Sequence, residues 1–441
     1  MLVTMIGHAS VLIETDSIGI LSDPWTCGSA FNDGWLPYPE PILSSVVLER
    51  ASYLWISHEH PDHFSIPTLQ SIPEERRKHI TVLFQRHYKS DVRDFLSSLG
   101  FRDVQELEHG RWLQLSGRTE ICCRQVGHTD SLLVIREGSR CIVNLNDCVM
   151  PGSTLRKLKA ELGEIDLLLR QFTYADWVGN PDETERMNRA KEKVLENVAQ
   201  EINVLAPRAF IPFASFMRWA HQENTHQNKA MATVEEVAAR SRSARVITLA
   251  PGDQWEVGTK ADSSRAAQQF YAQARARLAE EPLITSEPIL LEQLVEATKA
   301  QVERLRRSYP LAVCKWVPPV RFFINDYGEL IEVSLTDGVR LMTGTEESSQ
   351  VSISSQAMWY TFAFRWGLPT LGVSARYRLH GDETAFRRLK KVGSAYSAGL
   401  TIPRRGEGQD AWTARTAQFA WKRRRDLGSQ FLARVLKVGN D

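Results

Sequence analysis

The segment Ile56-Ser57-His58-Glu59-His60-Pro61-Asp62-His63 places three histidines and an aspartate within six residues. It directly follows the apolar run Tyr53-Leu54-Trp55-Ile56, which reads as a buried strand. A loop at the end of a strand is where a rigid scaffold presents binding groups. Imidazole nitrogens suit zinc, iron and copper, and a carboxylate adds a harder donor suited to iron, manganese or zinc. In extended chain the side chains at i and i+2 share a face, so His58 and His60 can grip one metal ion. Asp62 and His63 lie past the turn and can face a neighbouring ion. The competing explanation is a polar loop with satisfied core histidines, but burying four such groups without a metal is costly.

Such a cluster needs strands to hold it. Val11-Leu12-Ile13 and Ile18-Gly19-Ile20-Leu21 flank Thr15-Asp16-Ser17 in a hairpin-like pattern. Thr81-Val82-Leu83-Phe84, three β-rich runs over 119–150 and Ile165-Asp166-Leu167-Leu168-Leu169 follow, with helical stretches near 90–99 and from Asp182 to about Leu205. This alternation predicts an α/β sandwich over residues 1–260. Residues 261–308, rich in Ala, Glu, Gln and Arg, read as a helical linker. Residues 309–405 read as a smaller α+β domain. Its expected strands are Arg321–Ile324, Ile331–Leu335 and Leu371–Ser374, and its expected helices 355–366 and 383–396. Residues 406–441 read as a basic C-terminal helix. Its run Lys422-Arg423-Arg424-Arg425 is either a nucleic-acid patch or, as short basic runs more often are, a solvated helix face.

The HxHxDH string resembles the metallo-β-lactamase superfamily. The resemblance implies an αββα sandwich and further metal ligands from three later loops. His128, in Gly127-His128-Thr129-Asp130, matches the third histidine of the first metal. Asp147, in Asn144-Leu145-Asn146-Asp147-Cys148, matches the bridging aspartate. His221, after Pro212-Phe213-Ala214-Ser215, matches the last histidine of the second metal, with His226 five residues on as a rival. The implied ligand set is His58, His60, Asp62, His63, His128, Asp147 and His221. Ile6-Gly7-His8-Ala9-Ser10, Ser22-Asp23-Pro24-Trp25, Ala30-Phe31, Gly34-Trp35 and Pro67-Thr68-Leu69 narrow the resemblance. They are similar to the non-Rieske portion of CMP-N-acetylneuraminate hydroxylases. The segment Trp366-Gly367-Leu368 resembles a sterol-carrier-like α+β module in related chains.

Asp23 is expected beside the metal loop, accepting a ligand histidine's N–H and fixing its tautomer. His8 is expected to line the same pocket as a catalytic group, together with Asp62 and Asp147. The bland alternatives are a turn at Asp23-Pro24 and a satisfied core histidine. Trp25, Phe31, Trp35, Tyr38, Trp177 and Trp219 either roof a substrate pocket or pack the core. Arg218 is a candidate partner for an anionic substrate group.

The 441 residues are 43% apolar and 24% charged, the mix of a soluble globular protein, and too many for one ordinary core. Net charge is +1, so no global field argues for a nucleic-acid or anionic-membrane partner. The N-terminal MLVTMIGHASVLIETDS has no basic n-region and apolar h-region, so a cytoplasmic protein is expected. Six cysteines form no CxxC pair and none lies within four residues of a histidine, so these residues hold no Rieske cluster pattern. Free buried thiols are expected.

Two chemistries fit. The first is an iron-dependent oxygenase, expected to be di-iron, oxidising a small molecule with O₂ and drawing electrons from a separate donor. The second is a di-zinc or di-manganese hydrolase of phosphodiesterase or lactonase type, in which bound water has its pKa lowered toward ~7. A non-catalytic metal-binding scaffold is a third reading, which loss of Asp147 or His128 would have favoured.

Overall fold

The computed structural model describes residues 1–86, 91–127 and 129–401. The basic C-terminal run and His128 therefore lie outside the described residues. The chain opens with β1 (Leu2–Gly7), β2 (Ser10–Glu14), β3 (Gly19–Ser22), the short β4 (Trp35–Pro37), β5 (Tyr53–Ile56), β6 (Thr81–Gln85) and β7 (Asp103–Leu107). It continues with β8 (Trp112–Gln114), β9 (Thr119–Val126), β10 (Asp130–Glu137), β11 (Arg140–Asn146), β12 (Leu167–Gln171), β13 (Ala209–Phe213), β14 (Met217–Trp219), β15 (Arg245–Val246) and β16 (Gln254–Glu256).

Among the described residues these strands form two seven-stranded sheets, ordered β16-β1-β2-β3-β5-β6-β7 and β15-β13-β12-β11-β10-β9-β8. Each sheet is antiparallel where hairpins build it and parallel where helices cross over. Strand periodicity explains how the layers meet. Val3, Met5, Val11, Ile13 and Trp55 point into a core shared with Ile121, Ile135 and Ile142 of the second sheet. Their neighbours Ile6, Leu12, Leu54 and Ile56 point the other way, under helices that include Ile66–Ser71 and Asp91–Ser98. Leu195, Val198 and Ile202 of the helix Thr184–Leu205 cover the second sheet. The result is an αββα sandwich, and strands buried on both faces read as nearly continuous apolar runs.

Helices Ser264–Arg277 and Leu291–Ser308 lead to a five-stranded sheet formed by β17 (Val320–Ile324), β18 (Glu329–Ser334), β19 (Gly338–Met342), β20 (Val351–Ile353) and β21 (Arg378–Leu379). Leu371–Ser374, expected as a strand, instead ends the helix Gly367–Ser374. A short apolar run fits a buried helix as well as a strand, and burial of Leu368 and Leu371 chose the helix. This unit shares one apolar core with the sandwich: Trp25, Phe31, Trp35, Trp177 and Trp219 pack with Phe322, Met358, Leu371 and Phe386. Those five aromatics are thus core residues at the junction of the two units.

Among the described residues no helix is long and apolar enough to cross a membrane. All six cysteines are unpaired; five are buried and Cys27 is exposed.

Candidate metal centre

Strand ends converge on the site. β5 stops at Ile56, and the following loop makes one turn in which His63 and Phe64 N–H donate to the His60 carbonyl at 2.9 and 2.7 Å. Ser65 then caps the helix Ile66–Ser71 by accepting from the Thr68 N–H. The metal loop is therefore clamped between a strand and a capped helix.

Ser57 is the hub of that clamp. Its N–H and Oγ donate to Asp23 Oδ1 and Oδ2 at 2.8 and 2.7 Å. Its carbonyl accepts from Gln85 Nε2 at 3.0 Å and Ser131 Oγ at 2.6 Å, tying both sheets to the loop. Asn146 Nδ2 donates to Asp23 and to Ser57 Oγ. His63 Nδ1 lies 3.0 Å from Asp23 Oδ2, so its Nε2 faces inward.

Among the described residues, inward-facing atoms gather in three groups, each with ligand atoms within 4.8 Å of one another: His8, Asp62 and His63; His58, His63 and Asp147; His58, His60 and Asp130. Asp62 Oδ2 lies 3.2 Å from His8 Nε2 and 3.3 Å from His63 Nε2. Asp147 Oδ2 lies 3.5 Å from His58 Nε2 and 3.8 Å from His63 Nε2, the two histidines that the middle group shares with its neighbours. Ligand atoms on one ion with bonds of about 2.0–2.2 Å stand roughly 3–3.6 Å apart. The Asp62 spacings fall inside that range. Among the described residues, the buried atoms Asp62 Oδ1, Asp147 Oδ1 and His8 Nδ1 have no hydrogen-bond partner. An orphaned buried carboxylate oxygen is costly, and a cation satisfies it. The donor set fits metal ions.

Electrostatics agree. Burial pushes the Asp62 carboxyl up, but the charges and hydrogen bonds of His63 and His8 outweigh it and hold it well below the usual range. Burial pushes His63 down, yet Asp62, Asp147 and Asp23 raise it well above an ordinary imidazole. A site that draws a proton onto a buried histidine draws any cation, and a bound metal replaces that proton.

His221 joins none of these groups. β14 pairs with β4 and carries it toward the C-terminal unit. There His221 Nε2 lies 3.1 Å from Ser286 Oγ and its ring neighbours Glu223 and Arg376; burial and the Arg376 charge lower its pKa to about 4. His226 is also elsewhere, with Nε2 3.2 Å from the Gly179 carbonyl. Arg218 donates to the Pro282 carbonyl at 2.8 Å and lines a separate cleft of about 970 Å³ with Tyr38, Cys27 and Arg277.

Residues 2–195 match the family model described as a beta-lactamase superfamily domain. Those residues are a domain of the metallo-β-lactamase fold. The chain is related to the CMP-N-acetylneuraminic acid hydroxylases: it is 24% identical over 233 residues to the one from Asterias rubens, covering 50% of this chain and 35% of that protein. A Mycobacterium tuberculosis protein named for a Rieske 2Fe-2S iron-sulfur group is 32% identical over 187 residues, covering 40% of this chain and 35% of its own length. The chain thus spans about a third of the length of these curated relatives. A solved variant of CmlA beta-hydroxylase aligns at 17% identity with a TM-score of 0.43, covering 58% of this chain and 54% of that one.

In this metallo-β-lactamase-fold site, sequence reasoning passed over Ser57, Gln85, Asp130, Ser131 and Asn146. Gln85 carries a visible signal, because it is a polar residue that closes the apolar run Val82-Leu83-Phe84, and Asn146 ends β11 in the same way after Leu145. Among the described residues, His8 (φ 35°), Asp23 (38°), Phe31 (53°), Asn146 (55°) and Ala214 (49°) hold left-handed backbone around the site. Such conformations cost about 1–3 kcal/mol each and collect at functional sites.

Proposed function

We propose that this protein is a metal-dependent oxygenase that oxidises a small molecule with O₂, using a dinuclear iron centre. The observation that carries this reading is the similarity of half the chain to proteins named as hydroxylases. His58, His60 and His128 would hold one ion, Asp62 and His63 the other, and Asp147 both. Bound iron would supply O₂ binding and one-electron chemistry. The chain's own residues do the rest. Asp23 keeps the His63 proton on Nδ1, so that Nε2 is free to bind. Trp25 packs edge-on against His8 at 5.2 Å and Phe31 against His60 at 5.7 Å, which keeps bulk water from those faces. The C-terminal unit, read as sterol-carrier-like, backs that aromatic wall. Electrons would come from a separate donor protein or reductant.

A hydrolase is the second reading. Asp62 Oδ1 is buried, charged and without a partner among the described residues, as a group that orients an attacking water would be. Elemental analysis of protein purified without added metal, with O₂ uptake after reduction, separates the two. About two irons per chain with reductant-dependent O₂ consumption supports the oxygenase. Zinc or manganese, with no O₂ consumption after anaerobic iron reconstitution, removes it and directs the search to phosphodiesters and lactones.

A further inference from the structure

The second metal position lacks a histidine from the loop after β13, because that loop reads Ala214-Ser215 and its next histidine, His221, is carried away. The β1–β2 turn lies beside that loop. The Ala214 N–H donates to the His8 carbonyl at 2.8 Å, so His8 lies directly against the end of β13. Its ring is 2% exposed and points at the metal loop, with its centroid 5.8 Å from that of His63.

We infer that His8 is a metal ligand, through Nε2, and completes the second position beside Asp62 and His63. Three features converge on this. Nε2 lies 3.2 Å from Asp62 Oδ2, an edge that fits two ligands on one ion. Nδ1 has no partner among the described residues, so Nε2 is the atom the fold holds in position. Backbone geometry also fixes the residue. His8 sits at φ 35° in the β1–β2 turn, and a Cβ on Gly7 would lie 2.6 Å from Pro41 Cβ. The ligand thus comes from the first strand pair, about 200 residues before the loop that the resemblance pointed to.

This inference rests on the metal-centre reading, and its test reads metal binding instead of turnover. The full chain is stripped with chelator and titrated with cobalt(II), whose visible absorption reports coordination; bound metal is counted by elemental analysis. Wild type is expected to take two equivalents. His8→Ala should keep one and bind the second at least about ten-fold more weakly, while His221→Ala keeps both. His8→Gln can still donate a hydrogen bond to Asp62, so it distinguishes a ligand from a positioning residue. As a ligand replacement it should also lose the second equivalent and change the cobalt spectrum. Two equivalents at wild-type affinity in folded His8→Gln, or in His8→Ala if only that variant folds by circular dichroism, overturns the inference and leaves the metal centre standing. Fewer than two equivalents in wild type overturns the inference, and none at all overturns the metal-centre reading with it.

Discussion

Asp23 and His63 form a buried pair, with Oδ2 of the one 3.0 Å from Nδ1 of the other and Asp23 wholly shielded from solvent. The pair converts a turn at the end of β3 into the device that aims a metal-loop histidine. Asp23 also accepts from the Ser57 N–H and Oγ and from Asn146, so four donors converge on its carboxylate.

Asp23→Asn tests that role. Asparagine tolerates the left-handed backbone, so the turn survives. Its amide, however, removes the charge and points donors at donors. The variant should fold, and its metal affinity should fall about 10–100-fold, the usual effect of losing an outer-shell acceptor. Titration with cobalt(II) against a competing chelator gives the number. Unchanged affinity would mean that Asp23 only shapes the turn.

Removing inward-facing groups should act more severely. Asp147 lies within 4 Å of both His58 and His63, and His60 Nδ1 lies 2.7 Å from His58 Nε2. His60→Ala and Asp147→Ala should each abolish activity and lower metal content while leaving the far-UV spectrum intact. Full activity in either variant refutes the site assignment.

His58 to His63 were legible because the cluster is contiguous and follows an apolar strand, so no tertiary knowledge was needed. Asp23 was legible because a Ser-Asp-Pro turn after a strand offers a carboxylate at a strand end. Ser57 and Ser131 were not, because their pairing comes from the meeting of two sheets and no local pattern encodes that. His221 misled for a related reason. Its spacing after β13 fits a ligand, but the pairing of β14 with β4 decides which way the chain turns. Leu371–Ser374 misled because four apolar residues carry no periodicity long enough to separate strand from helix.

The loop bearing Asp147 is braced from behind. Arg170 Nη1 donates to the Asn146 carbonyl at 3.3 Å, and its Nε pairs with Glu201 at 2.6 Å, both side chains being about 95% buried. Arg170→Met strands the Glu201 charge and should cost about 3–5 kcal/mol in denaturant unfolding. Arg170→Met combined with Glu201→Leu removes both charges and should recover much of that loss. A double variant as unstable as the single one would show that packing, and not the stranded charge, sets the cost.

Gly34 lies where the two units meet. A Cβ there would lie 2.9 Å from Ser374 Cα and 3.0 Å from the Phe31 carbonyl oxygen, both of them backbone atoms that cannot swing aside. Asn224 bridges the same junction, donating to the Gly34 carbonyl at 2.9 Å and the Ser374 carbonyl at 2.7 Å. Gly34→Ala must therefore part the units or shift the loop that carries Phe31, which packs on His60. Overpacking of this kind costs about 1–3 kcal/mol. Gly117→Ala is the control, since a Cβ there meets nothing within 4 Å. Thermal unfolding should show a lowered midpoint for Gly34→Ala and little change for Gly117→Ala. Quenching of tryptophan fluorescence by acrylamide should rise only in the first, because Trp25, Trp35 and Trp219 are all buried at this junction. Equal midpoints for the two variants would mean that the C-terminal unit rides loosely on the site and does not wall it.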